Sequence, residues 1–305
     1  FTSSTDAYNT AVGALAGAAI TRGTENTLIG GLAGDAITTG SYNTAVGKDS
    51  SGQVTTGSHN VSVGRMALRK TTTGSNNTAL GRSALEANTT ASNNTAVGYQ
   101  AMNSNTGSQA NTAIGRGALY SHTTGNGANV ALGYDSSRSL TTGAYNVSVG
   151  TNALFSNTTA SYNTALGQKA GYSNTTGNNV VFVGSAAGYN NTTGNENVAV
   201  GGASFYNNST GASNVAVGHG TLFSNTTASN NTAVGYQAGY SNTTGTQNSA
   251  LASYTLNQNS TGNYNTALGH YALGATTTSN NTTTTGYQAG YCTKTGPHLT
   301  ALGRG

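Results

Sequence analysis

Small and β-branched residues alternate over three-residue stretches of this chain, and each stretch ends on a glycine that returns every 17 residues. The glycines are Gly13, Gly30, Gly47, Gly64, Gly81, Gly98 and Gly115, then, after one extra residue, Gly133, Gly150, Gly167, Gly184, Gly201, Gly218 and Gly235, then Gly269, Gly286 and Gly303. Ala252 fills the one gap. With the glycine as position 0, position −1 is Val, Ile or Leu in 17 of 18 units, Thr285 being the exception. Position −3 is Thr, Val or Ser throughout, and −2 is Ala or Ser apart from Leu28, Phe182 and Thr284. β-branched residues at alternate positions mark a short strand. Glycine ends it because glycine alone enters positive φ without strain. The alternation predicts that −3 and −1 point into a coil, with −2 presenting a small, Ala-lined back to another surface.

The rest of the unit is turn-like. Positions +1 and +2 hold many of the charges (Lys48, Arg65, Arg82, Arg116, Lys169, Asp49, Asp135), as a wet corner would. Position +3 is small (Ala16, Ala67, Ala101, Ala153, Ala238), and +4 and +5 vary as a pair, Leu154-Phe155 against Gly171-Tyr172. Asn-Thr-Thr-Gly follows and closes a second turn. Self-similarity at a fixed short period is the signature of a stacked-repeat fold. Two short strands and two turns per 17 residues predict an all-β parallel β-solenoid or β-roll of about 18 rungs, running as a single repeat over residues 1–305 with a one-residue insertion between Gly115 and Gly133. Helix is disfavoured, because Gly and β-branched residues dominate every window. The chain opens at Phe1 in mid-pattern and stops at Gly305 one step into a new unit, which reads as a stretch of something longer.

Stacking places equivalent residues in columns. Asn recurs at −4 in 15 units (among them Asn9, Asn43, Asn94, Asn163, Asn231 and Asn265), and the spacing predicts an amide ladder. Position +8 is Thr or Ser in 16 of 17 units, broken by Lys294. Both rows are read as structural.

Composition narrows the functional classes. Only 35% of the chain is hydrophobic and 6% charged, and the net charge of +4 comes from 11 basic and 7 acidic residues. Spread over such length, this is too dilute for a nucleic-acid groove. Arg65, Arg69 and Lys70 form a local basic cluster, read as a solvated corner. Cys292 stands alone, so no disulfide framework is expected within the chain, and no apolar run reaches membrane-spanning length. The histidines are scattered, no carboxylates pair, and repetition produces rows of like side chains instead of one catalytic constellation. No enzyme activity, metal or cofactor is therefore expected. The core per rung is thin, which predicts reinforcement by like subunits, end to end or lateral, or by attached glycans.

Asn-Thr-Ala-Val-Gly-Tyr-Gln-Ala-Gly-Tyr-Ser-Asn-Thr-Thr-Gly, residues 231–245, resembles the repeat of bacterial and phage tail-fibre-domain surface proteins. More distantly, Asn-Thr-Ala-Val/Ile-Gly is similar to the head repeat of YadA-like trimeric autotransporter adhesins. The resemblance implies trimeric left-handed parallel β-rolls and a secreted, fibrous, often adhesive protein at the cell surface.

Two rows are candidate sites. Asn157, Asn174, Asn191, Asn208, Asn225, Asn242 and Asn259 occupy +7 of seven consecutive units, and with Asn88 each fits the N-glycosylation acceptor pattern. Asn-Thr-Thr-Gly is equally good turn chemistry. Phe155, Tyr172, Tyr189, Tyr206, Phe223 and Tyr240 form an aromatic row at +5, suited to stacking on sugars or on one another. The leading expectation is a structural component of an extracellular fibre or filament, a rigid spacer or adhesin stalk. The alternative is a phage or cell-surface fibre module that grips carbohydrate along the aromatic row.

Overall fold

The structure, a computed structural model, describes residues 7–292 and 298–304. Phe1, Lys294 and Gly305 lie outside the described residues. The fold is an all-β parallel solenoid of 18 strands at about 17 residues per turn, and no helix occurs among the described residues. The chain divides into two compact units, residues 1–152 and 153–305. Unit 1 holds β1 (Thr10–Val12) through β9 (Val147–Val149), and unit 2 holds β10 (Thr164–Leu166) through β18 (Thr300–Leu302). Within each unit every strand pairs in parallel with the next at a shift of one repeat, as in Thr27 with Thr44 and Val198 with Val215. The inserted residue falls before β8 (Val130–Leu132) and leaves the register intact, since Thr112 still pairs with Val130 and Ile114 with Leu132. At about 4.8 Å per strand, the nine rungs of each unit stack over roughly 40 Å.

Each rung carries one strand where the sequence reading expected two. Residues +1 to +7 curl instead through successive turns. In the rung of Gly64, Ala67 N donates to Gly64 O at 3.2 Å and Thr71 N to Leu68 O at 3.2 Å. Met66 at +2 has φ 62° and Leu68 at +4 has φ 50°. Left-handed non-glycine residues cost about 1–2 kcal/mol each. They persist because the curl leaves N–H groups pointing along the stack. Leu68 N donates to Ala84 O and Lys70 N to Glu86 O in one neighbouring rung, and Met66 N to Lys48 O in the other, all at 3.0 Å. Rung-to-rung hydrogen bonding thus continues round the turns as it does along the strand, and buried backbone is satisfied without a second strand.

The curl also reverses the expected facing of the strand. Ala45, Ala79, Ala96 and Ala131 at −2 are fully buried, whereas Leu80, Leu132 and Leu268 at −1 are 46%, 43% and 48% exposed. Inward +3 and +4 side chains fill the space opposite the strand, as Ala67, Leu68, Ala84 and Leu85 do against Ala79 and Ala96. Only a methyl fits between, so −2 faces in and the larger −3 and −1 residues face out. The Ala-lined face is the inner wall of the rung, and the surface that demands small residues is the chain's own turn.

The exceptions at −2 show the same constraint. Phe182 is fully buried. A Cβ on Gly188 would lie 2.5 Å from its ring, and one on Gly171 of the preceding rung 2.9 Å from it. Leu28 stands to Gly34 in the same way, at 2.7 Å. A large side chain at −2 therefore requires glycine at +4, as in the rungs of Leu28 and Phe182. The glycines at 0 have φ near 130°, and a Cβ on Gly64 would lie 2.7 Å from the backbone of Gly81. Ala252 occupies the same position with φ 125°.

Candidate functional site

The interior is built from columns. At −4, Asn26 Nδ2 donates to Asn9 Oδ1 at 3.0 Å, Asn43 to Asn26 at 3.1 Å, Asn111 to Asn94 at 3.2 Å and Asn265 to Asn248 at 3.1 Å. Asn163 and Asn231 donate to the carbonyls of Gly177 and Gly245, each at 2.9 Å. The oxygens of these amides also accept backbone N–H groups from the next rung, as Asn214 Oδ1 does from Asn231 N at 3.0 Å. The expected ladder is present. At +8, threonine hydroxyls donate to the carbonyl of the next rung, Thr38 to Thr55 and Thr175 to Thr192.

The sequon row forms a second internal ladder. Asn88, Asn157, Asn174, Asn191, Asn208, Asn225, Asn242 and Asn259 are all buried, at 2% exposure or less. Asn191 donates to Asn174 at 2.8 Å, Asn208 to Asn191 at 2.6 Å, Asn225 to Asn208 at 2.9 Å, Asn242 to Asn225 at 3.0 Å and Asn259 to Asn242 at 2.9 Å. Asn157 Oδ1 accepts from Ala160 N at 3.1 Å, and Asn88 Nδ2 donates to Thr71 Oγ1 at 3.2 Å. An amide committed to such bonds inside a rung cannot present its nitrogen to a glycosyl donor. The surface-acceptor expectation at these eight asparagines is therefore corrected: the Asn-Thr-Thr-Gly pattern serves turn closure and an internal column. The threonines at +9, such as Thr159, Thr176 and Thr193, are the exposed ones.

The aromatic row is a continuous stack in unit 2. Centroids of Phe155, Tyr172, Tyr189, Tyr206, Phe223 and Tyr240 succeed one another at 5.0–5.2 Å, with interplanar angles of 4–12°. All six are half-buried. Each inner ring has both faces covered by its neighbours, so the row offers edges, not platforms. In unit 1 the same column holds Arg69 paired with Glu86 at 2.9 Å, then Tyr120 under the Arg138 guanidinium at 4.7 Å.

The outer face of each strand is uncharged. Its −1 column is aliphatic except at Thr285, and its −3 column is Thr, Val or Ser. Beside it, the +1 column of unit 1 carries Lys48, Arg65, Arg82, Tyr99, Arg116 and Tyr134, all exposed.

Three internal groups escaped the sequence reading. Ser62 at −2 bonds Ser50 and Ser51 of the preceding rung, both at 2.7 Å, and Ser148 bonds Ser136 and Ser137 at 2.7 and 2.8 Å. The signal was visible as Asp-Ser-Ser (49–51, 135–137) followed by Val-Ser-Val (61–63, 147–149). These hydroxyls are buried and bond one another, which suits packing and not nucleophilic attack. His122 replaces Asn at +7, is fully buried, and meets Ser108 Oγ through Nε2 at 2.8 Å. Burial pushes its pKa down to about 4, against a smaller upward pull from the backbone at Thr141. A void lined by Leu222, Ala233, Ala250 and Leu256 measures about 10 Å³, room for about one water.

No group of three His, Cys, Asp or Glu side chains converges among the described residues. Cys292 is exposed and unbonded. No helix among the described residues is long and apolar enough to cross a membrane. No protein-family model matches the chain, and no curated protein matches it.

Proposed function

We propose that this chain is a structural segment of an extracellular fibre or stalk, without catalytic activity, that assembles laterally or end to end with like subunits. The observation that carries this reading is that the −4, +7 and +8 columns, and the +5 rings of unit 2, are spent on neighbouring rungs. Amides bond amides, hydroxyls bond carbonyls, and rings stack on rings, so each nine-rung unit gains stiffness along its stack. The covered ring faces favour this reading over a sugar platform at Phe155–Tyr240. The extracellular setting rests on the resemblance of residues 231–245 to surface-fibre repeats.

Lateral assembly has a surface suited to it. An uncharged face with an exposed aliphatic column is the kind of patch that marks an interaction site. The Ala-lined face, being internal, has no part in it. Sedimentation and negative-stain microscopy of the purified chain test this proposal. Fibres or defined oligomers are expected, and changing Val97, Ile114 and Leu132 to Lys is expected to disperse lateral assemblies while far-ultraviolet circular dichroism stays unchanged. A chain that stays a single particle at every concentration would reject the reading.

A further inference from the structure

In six consecutive rungs of unit 1, position +1 runs Lys48, Arg65, Arg82, Tyr99, Arg116, Tyr134, and no acid interrupts it. At about 4.8 Å per rung this is a line of roughly 25 Å. The Tyr99 ring lies between two guanidiniums, with Arg82 Cζ at 5.6 Å and Arg116 Cζ at 6.0 Å from its centroid. Arg116 also sits 5.1 Å from the Tyr134 ring and donates to Tyr134 Oη. Arg65 and Arg82 take part in no ion pair among the described residues, whereas Lys48 lies 3.7 Å from Asp49, and Asp135, held by Arg138 at 2.7 Å, also lies 3.9 Å from Arg116. Val63, Leu80, Val97 and Ile114 line the neighbouring −1 column.

We propose that this column binds a linear acidic polysaccharide, a polymer carrying about one carboxylate or sulfate on each sugar. Four cations in five successive rungs, Lys48, Arg65, Arg82 and Arg116, present a row of charge to a chain whose own charges repeat at the scale of a sugar. The guanidinium fork matches a carboxylate or sulfate in two-point geometry. Cation–π contacts hold Arg82 and Arg116 in place beforehand, which lowers the entropy lost on binding. The aliphatic column alongside suits the C–H faces of sugar rings. Both faces of Tyr99 are covered by guanidiniums, so base stacking has no platform there, and a single-stranded nucleic acid fits the column less well than a sugar polymer. Each ionic contact is exposed and individually weak. Affinity comes from engaging several on one polymer and falls with added salt.

Titration of the full chain with polygalacturonate, neutral dextran and oligo-dT tests this proposal. Polygalacturonate is expected to bind at low ionic strength and to weaken with salt, and dextran not to bind. Replacing Arg65, Arg82 and Arg116 together by Gln should weaken polygalacturonate binding at least about tenfold, and replacing them by Lys should retain most of it. A control triple, Arg22→Gln, Lys70→Gln and Arg304→Gln, removes the same charge from other exposed positions and should leave binding within about twofold. All these side chains are exposed, and circular dichroism verifies that each variant keeps its rungs. Absence of polygalacturonate binding at low salt, an equal loss in both Gln triples, or tighter binding of oligo-dT would overturn the proposal.

Discussion

Unit 1 and unit 2 share one backbone rung and fill it with different chemistry. Inside, the +7 column of unit 1 runs Ile20, Ile37, Val54, Thr71, Asn88, Asn105, His122, Leu140, whereas in unit 2 it is asparagine without a break from Asn157 to Asn259. Outside, the +5 column of unit 1 mixes Asp35, Arg69, Glu86, Asn103 and Arg138, whereas unit 2 stacks six rings. The glycines at 0 and the left-handed residues at +2 and +4 recur in both units and set the curl. Column chemistry is therefore free to vary, provided each side chain finds its complement one rung away. Unit 2 meets that condition with identical neighbours; unit 1 meets it with apolar contacts, ion pairs and cation–π contacts.

The sharpest way to break the comparison is to interrupt the amide column. In unit 2, Asn208→Ala removes the donor to Asn191 Oδ1 and the acceptor of Asn225 Nδ2. Both partners are buried, so the loss should reach roughly 4 kcal/mol of unfolding free energy, measured by urea denaturation. Val54→Ala, at the same position of unit 1, orphans no polar group and should cost about half as much.

His122 is where unit 1 departs most from an asparagine column, and pH exposes it. Its pKa is about 4 in the fold, against about 6.5 in the unfolded chain. Above pH 6.5 it is neutral in both states and costs nothing. As pH falls from 6.5 to about 4, the unfolded chain takes up a proton that the fold excludes, and stability drops by up to roughly 3 kcal/mol. His122→Asn should abolish that component of the pH dependence and extend the Asn88–Asn105 amide pair of unit 1 by one rung. Urea midpoints at pH 7 and pH 4.5 decide the matter.

Ala252 is the one rung of unit 2 that breaks the shared frame. Its φ of 125° lies where only glycine is at ease, and the strain is of order 1–3 kcal/mol. Ala252→Gly should raise stability by about 2 kcal/mol, partly offset by the greater freedom of glycine in the unfolded chain. The gain should register as a higher thermal midpoint.

Much of this architecture was legible in the residues. The return of Gly at 17 fixed the rung, the β-branched stretch fixed the strand, and Asn at −4 fixed one ladder. Direction was not legible. Thr-Ala-Val reads the same whichever face is buried, and the choice is made by a left-handed curl at residues such as Leu15, Met66 and Leu68, which carry no local signal for positive φ. The same curl turns Asn157–Asn259 inward, whereas Asn-Thr-Thr-Gly alone is compatible with an exposed turn. Of the candidate rows, the aromatic one was placed correctly by spacing, because rungs in register leave equivalent rings nothing else to touch. The cation–tyrosine column at +1 was visible only as scattered charges until register aligned Arg82, Tyr99 and Arg116.

The smallest expected effect separates the two ways of filling +5. Tyr189→Ala removes stacking on Tyr172 at 5.1 Å and on Tyr206 at 5.0 Å. Each stacked pair is worth about 0.5–1.5 kcal/mol, so the loss should be about 1.5 kcal/mol. Glu86→Ala in unit 1 removes one ion pair to a guanidinium that solvent still reaches, worth under about 1 kcal/mol. The two losses differ more in kind than in size. Salt near 1 M shrinks the screening length to about 3 Å, which should erase most of the Glu86 effect and leave the Tyr189 effect standing. If both losses were equally sensitive to salt, the ring column would be acting through its polar edges, and the contrast between a unit held by stacked faces and a unit held by charge would fail.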